Sequence, residues 1–268
     1  MKSKNHFLKF ISVCLSSIFL STAFTGCKKT ESQDLLEQIK SKGKITIAME
    51  GAWAPWTYHD ENNQLTGYDV EVGKKIAGKL GVKAEFIEVD WDGIFAGIDS
   101  RRYDIACNGV EISEERKQKY DFSEPYAYTR TAVIVKKDNN SIKSLQDLKD
   151  KTTTNSIGST YADLAEKYGA KVVTIDSFDE TLSLVEHGRA DATLNDNATF
   201  YYYQKVQPSN PFKAAFLTET PSKVAIPVRK APETKNLLTA INKALDELKE
   251  SGELAELSKK YFGEDLTK

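Results

Sequence analysis

Residues 68–89 read YDVEVGKKIAGKLGVKAEFIEV, and this stretch decides the fold class. Val72, Ile76 and Leu80 recur at a helical interval until Gly81 breaks it, so Tyr68 to Leu80 predicts a helix with a glycine stop. From Val82 to Val89 β-branched and aromatic residues take over, which predicts a strand. A helix leading into a strand is the crossover half of a parallel β-α-β unit. Working outward, Lys44 to Met49 predicts the strand before it, Trp91 to Ser100 a short helix after it, and Tyr103 to Cys107 a third strand.

A second unit of the same kind follows the extended segment Tyr120 to Val135. Helix Ser144 to Asp150, strand Thr152 to Ser156, helix Ser159 to Tyr168, strand Lys171 to Ile175, helix Ser177 to His187, strand Ala190 to Leu194 and helix Asp196 to Val206 are expected in turn. Leu182 and Val185 illustrate the helical spacing, which assigns most of these aliphatics to core. A strand from Lys223 to Val228 then leads into a helix from Pro232 to Glu250 and another from Glu253 to Tyr261. Amphipathic terminal helices need a face to cover, and the first unit offers one. The expectation is an α/β fold of two lobes, 34–127 with 222–268 and 128–221, joined by crossovers near Tyr126 to Arg130 and Thr220 to Lys223. Ligands bind at the carboxyl ends of strands in open parallel sheets, so the site is expected in the cleft between the lobes.

Composition narrows the partners. Lys+Arg 37 against Asp+Glu 39 gives a net charge of −2 over 268 residues without a basic run, which argues against nucleic acid. Cys14, Cys27 and Cys107, with the dispersed His6, His59 and His187, offer neither a disulfide framework nor a metal-ligand spacing; no metal or cofactor is expected. Lys2, Lys4 and Lys9 precede an apolar stretch, Phe10 to Phe24, that ends in Thr25-Gly26-Cys27. This pattern predicts a signal peptide over residues 1–26. Gly26-Cys27 is similar to the bacterial lipoprotein signal, which implies a lipidated Cys27, a tether over 27–33 and an extracytoplasmic protein anchored to the membrane. An ordinary signal peptide with an incidental cysteine is the rival reading. Cleavage removes three lysines and takes the net charge to about −5, and Cys107, in an apolar strand, reads as core.

Three strand-end loops hold polar groups that a core would not tolerate unpaired. Glu50 to Tyr58 concentrates Trp53, Trp56 and Tyr58; Asn108 to Arg116 carries Glu111, Glu114, Glu115 and Arg116; Ile157-Gly158-Ser159-Thr160 stands directly ahead of a helix, whose free N–H groups suit a carboxylate. Asn195-Asp196-Asn197 puts one more carboxylate at a strand end.

The runs Gly67-Tyr68-Asp69-Val70, Trp91-Asp92-Gly93-Ile94, Tyr103-Asp104, Ser113-Glu114-Glu115-Arg116-Lys117, Tyr120-Asp121-Phe122-Ser123-Glu124-Pro125-Tyr126, Gly158-Ser159-Thr160 and Lys259-Lys260-Tyr261-Phe262-Gly263, in this order, resemble the bacterial extracellular solute-binding proteins (family 3) of polar amino-acid ABC transporters. The resemblance runs from about Asp34 to the C-terminus and is nearest to cystine/cysteine-type binders. It implies a periplasmic-binding-protein-like (type II) fold that closes on its ligand, a monomer working with a permease and its ATPase. Arg116 matches the arginine that grips the α-carboxylate, Ser159 and Thr160 the helix N-terminus that supports it, and Asp196 the acceptor of the α-ammonium. Gly109 and Glu111 fall at further ammonium contacts; Trp53 and Trp91 match positions flanking the side chain.

Rival readings stand beside these. Arg116 could pair with Glu114 on the surface, Asp196 could cap the following helix, and one of Trp53 and Trp56 is expected in the core. Glu111 departs from the Thr or Ser of similar chains. With Glu50 it either selects a ligand carrying extra positive charge, such as Arg, Lys or His, or is neutralised by Arg116 or a lysine. An enzyme of dehydratase type would use Glu111 as general acid, and a sensor domain would need a separate signalling partner.

Overall fold

The computed structural model describes residues 34–268; the expected signal peptide, the lipidated Cys27 and the tether lie outside the described residues. The chain opens with α1 (Leu35–Lys42), capped by the Asp34 side chain, and β1 (Lys44–Met49). A small hairpin, β2 (Tyr58–His59) and β3 (Leu65–Thr66), precedes α2 (Tyr68–Leu80), which stops at Gly81 in the left-handed conformation. Then come β4 (Lys83–Glu88), α3 (Trp91–Asp99) and β5 (Ile105–Ala106). These strands form a parallel sheet in the order β4-β1-β5.

The chain continues through α4 (Glu114–Lys119), β6 (Tyr120–Phe122), β7 (Ala127–Thr129) and β8 (Thr131–Lys136). The second unit is β9 (Thr152–Asn155), α5 (Thr160–Lys167), β10 (Lys171–Thr174), α6 (Phe178–Glu186), β11 (Ala192–Asp196), α7 (Asn197–Val206) and β12 (Phe212–Leu217). Its sheet has the order β10-β9-β11-β8-β12, parallel in its first three strands and antiparallel in the last two pairings. Finally β13 (Ser222–Val224) pairs with β7, and β14 (Pro227–Arg229) with β6. The closing helices α8 (Lys235–Glu250) and α9 (Glu253–Phe262) return to the first sheet. Leu237, Ile241, Leu245 and Leu248 of α8 share one core with Ile39, Ile47, Val72 and Ile76. Each such burial contributes roughly 1.5–3 kcal/mol. The architecture is the two-lobed type II fold, with two chain segments, β7 and β13, running antiparallel between the sheets.

Several expectations change in detail. The helix expected at Ser144 to Asp150 is one turn of 3₁₀ helix, Leu145–Leu148, because Asp147 draws back onto the Lys143 and Ser144 N–H groups and Asp150 turns to a positive φ of 61°. The strand expected at Lys223 to Val228 splits: Ala225 bonds Val110, Ile226 bonds the Ser123 hydroxyl, and Pro227 brings no N–H. The strand expected at Ala190 to Leu194 sits two residues later, since Ala190 N–H still closes the end of α6 on Leu184. Helix α1, the β2-β3 hairpin and β12 are additions. Cys107 is buried, as its apolar setting implies, and burial pushes its thiol up. Among the described residues no helix is long and apolar enough to cross a membrane.

Candidate functional site

Ends of β1, β5, β9, β10 and β11 converge on a cavity of about 150 Å³ that both sheets line. On the first side Glu50 follows β1. Its N–H donates to Asn108 Oδ1 (2.8 Å) and its Oε2 accepts from Asn108 Nδ2 (2.6 Å). Burial raises Glu50 to about 7 against the Asn108 bond, with the charges of Asp90 and Asp176 adding to the rise. All three carboxylates line the cavity.

Trp53 also lines it, stacked on Trp56 at 5.7 Å between ring centroids. Trp56 is fully buried in the core, so the pair divides between wall and core. Gly109 must be glycine: its φ is +56° and a Cβ would stand 2.5 Å from the Trp53 ring. Its N–H donates to Asp69 Oδ2 (2.5 Å), whose Oδ1 accepts from Tyr126 (2.8 Å) just ahead of β7. Burial lifts Asp69 to about 7 despite these two bonds.

Arg116 is buried, and Glu114 pairs with Lys117 instead. Among the described residues Arg116 forms no ion pair with a carboxylate. Its guanidinium donates to two carbonyls, Glu111 O (2.8 Å) and Gly158 O (3.1 Å), and lies over the rings of Trp91 (5.1 Å) and Phe95 (5.2 Å). Burial pulls its pKa down, with the Glu111 charge opposing. The Glu111 carboxylate reaches the other side: Oε2 accepts from Thr160 Oγ1 (2.5 Å) and Oε1 from Tyr161 OH (3.3 Å). Ser159 caps α5, accepting from Ala162 N–H, and presents the helix N-terminus to the same cavity.

Glu50, Trp53, Trp91, Gly109, Glu111, Arg116, Ser159 and Thr160 therefore share one cavity. Asp196 is set differently. Its neighbour Asn195 is in the lining, whereas Asp196 is 1% exposed and caps α7, Oδ1 accepting from Thr199 N–H (2.7 Å) and Oδ2 from the Thr199 hydroxyl (2.7 Å) and Trp56 Nε1 (3.3 Å). Burial holds it up at about 6, Thr199 working against the rise. Asp90, Asn108, Tyr161, Asp176 and Phe178 line the cavity without having been expected there. Asp176-Ser177 follows β10 and caps α6, so the strand-end rule that found Ser159 would have found it too.

The model of the bacterial extracellular solute-binding proteins, family 3, matches residues 45–264. The chain belongs to that family. It is 43% identical over 236 residues to the L-cystine-binding protein TcyA of Bacillus subtilis, covering 88% of this chain and 87% of that protein. The L-cystine-binding protein TcyJ of Escherichia coli is 35% identical over 245 residues, 90% of this chain and 91% of TcyJ. An ancestral arginine-binding protein bound to arginine is 40% identical with a TM-score of 0.78, covering 82% of this chain and 99% of that one.

Proposed function

We propose that this solute-binding protein is a non-catalytic receptor for L-cystine, held outside the cell by a lipid on Cys27 and delivering its ligand to an ABC permease and its ATPase. One observation carries the ligand class: a single buried guanidinium, free of any carboxylate partner among the described residues, shares its cavity with Glu50, Asp90, Glu111 and Asp176. A buried zwitterion needs fixed partners for both charges. Arg116 and the N-terminus of α5 take one carboxylate, Glu111 and the Gly109 segment its ammonium, and Asp196 adds negative potential from behind the wall. The acids remaining at Glu50, Asp90 and Asp176 can receive the second ammonium of L-cystine, which cysteine lacks; since L-cystine also brings a second carboxylate, its choice over other ligands rests on the 43% identity to the L-cystine-binding protein TcyA. Trp53 and Trp91 flank the linker. The two lobes, taken as 34–127 with 222–268 and 128–221, close about β7 and β13.

A basic amino acid satisfies the same acidic excess and is the second reading, favoured by the arginine-bound ancestral relative. Calorimetric titration of the purified protein with L-cystine, L-cysteine and L-arginine at pH 7.5 decides between them. Saturable binding of L-cystine at least about tenfold tighter than L-arginine supports the first reading. The reverse order overturns it.

A further inference from the structure

Trp56 is buried among first-lobe aromatics, yet its one polar atom bonds the second lobe. The indole ring is gripped by Trp53 (5.7 Å), Tyr68 (5.7 Å) and Phe262 (4.8 Å), and it has no exposed surface. Its orientation is thus set by packing. A buried indole N–H needs an acceptor, and here Nε1 donates to Thr199 Oγ1 (3.1 Å) and to Asp196 Oδ2 (3.3 Å), about 140 positions along the chain. The Thr199 hydroxyl passes the bond on, donating to the same Oδ2 at 2.7 Å. Such a relay strengthens each member. Of the two ends, the ring is fixed by three aromatic neighbours and the carboxylate is the group being held.

We propose that Trp56 is a positioning residue for ligand binding, its indole N–H orienting the Asp196 carboxylate, directly and through Thr199, against the cavity wall where that charge acts on the ligand's ammonium. The ligand-binding part rests on the function proposed above. Other ionisable groups facing Asp196 are Glu111 from the loop after β5, Tyr161 from α5 and Asp69 from α2. None of them donates a hydrogen bond to it, so Trp56 and Thr199 are its stabilising partners.

The test is Trp56→Phe, which keeps an aromatic body and deletes the N–H. Two readouts are followed from pH 5 to 8: L-cystine affinity by calorimetry, and the carboxyl ¹³C resonance of Asp196, assigned by its loss in Asp196→Asn. Removing a donor to the ionised form moves the Asp196 midpoint upward by about one pH unit, so binding weakens most at the acid end, by about ninefold at pH 5 and about twofold at pH 7. A midpoint that stays where it is in the unaltered protein, or affinity lowered equally at every pH, overturns the proposal. Should Trp56→Phe not fold, the unaltered protein still decides. It has three tryptophans, and one indole ¹⁵N–H resonance follows the Asp196 midpoint and shifts in Asp196→Asn. If none does, the proposal falls. Absence of L-cystine binding in the unaltered protein would sink the ligand assignment alone, because both resonance tests read the Trp56–Asp196 bond without ligand.

Discussion

The two sheets repeat one plan and bring different chemistry to the cavity. β4-β1-β5 and β10-β9-β11 have the same order, second strand outermost, first strand central and third strand beside it, each built by two crossover helices. From the first come Glu50, Asp90, Glu111 and Arg116; from the second come Ser159, Thr160, Tyr161, Thr193 and Asn195, with Asp176 its one acidic side chain in the lining. One wall carries most of the charged side chains, and the other, Asp176 apart, offers neutral hydroxyl, amide and helix-end groups. This division suits a closing cleft. A charged wall draws and orients a zwitterion while still wet, and a mostly neutral wall then replaces water around it, bringing up a single like charge, that of Asp176.

If that division is real, the largest loss comes from the cation of the charged wall. Arg116→Ala is expected to cost several kcal/mol of L-cystine binding, the scale for truncating one partner of a desolvated charge pair. Its two carbonyl partners regain water when the cleft opens, so the ligand-free protein loses much less in thermal unfolding. Calorimetry of the variant that reports ordinary affinity would break the assignment of charge to this wall.

Glu50 comes next, and its effect has a pH signature. Its carboxyl is held at about 7, above the unfolded value of 4.5, so the folded state binds the extra proton between those limits. Stability from this group is fully present below pH 4.5 and is lost as pH rises through 7. Glu50→Gln is therefore expected to stabilise the ligand-free protein at pH 8 by on the order of 1–3 kcal/mol, a gain that fades towards pH 5. The same substitution should weaken L-cystine by tenfold or more at pH 8, since the second ammonium loses an anionic acceptor. Thermal unfolding at pH 5 and pH 8 checks the first claim. Equal gains at both would mean packing rather than charge.

How much of this was readable in advance follows the same division. Strand and helix periodicity expose both β-α-β units because burial imposes it directly, and strand-end position points to Glu50 and the Ser159-Thr160 helix start, whereas Arg116, inside α4, stands out only through the family resemblance. β12, a strand of Phe212 to Leu217 at the sheet edge, lacks strict alternation and so carries no such signal. Glu111 stood out as a carboxylate where a hydroxyl was expected, yet its partners, Thr160 and Tyr161, are about 50 residues away and belong to the other wall. The Trp56 bond to Asp196 had no local signal at all. Periodicity says which face of an element is buried; it carries no information on which polar tip a buried ring turns toward.

The smallest effect belongs to the neutral wall and tests whether it is passive. Thr160 Oγ1 donates across the cavity to Glu111 Oε2, a hydrogen bond to a carboxylate. Thr160→Val keeps the β-branch at the first position of α5 and removes that donor, leaving Tyr161 OH at 3.3 Å on the other oxygen. The expected loss in L-cystine affinity is about 1–2 kcal/mol, below that of Arg116→Ala, because the hydroxyl contributes a bond rather than a charge. It should appear as faster ligand release in stopped-flow, with association unchanged, since neutral groups do not steer encounter. A slower association rate would place electrostatic work on the second wall, and a loss as large as that of Arg116→Ala would mean that the clasp between Glu111 and α5, rather than the guanidinium, holds the cleft closed.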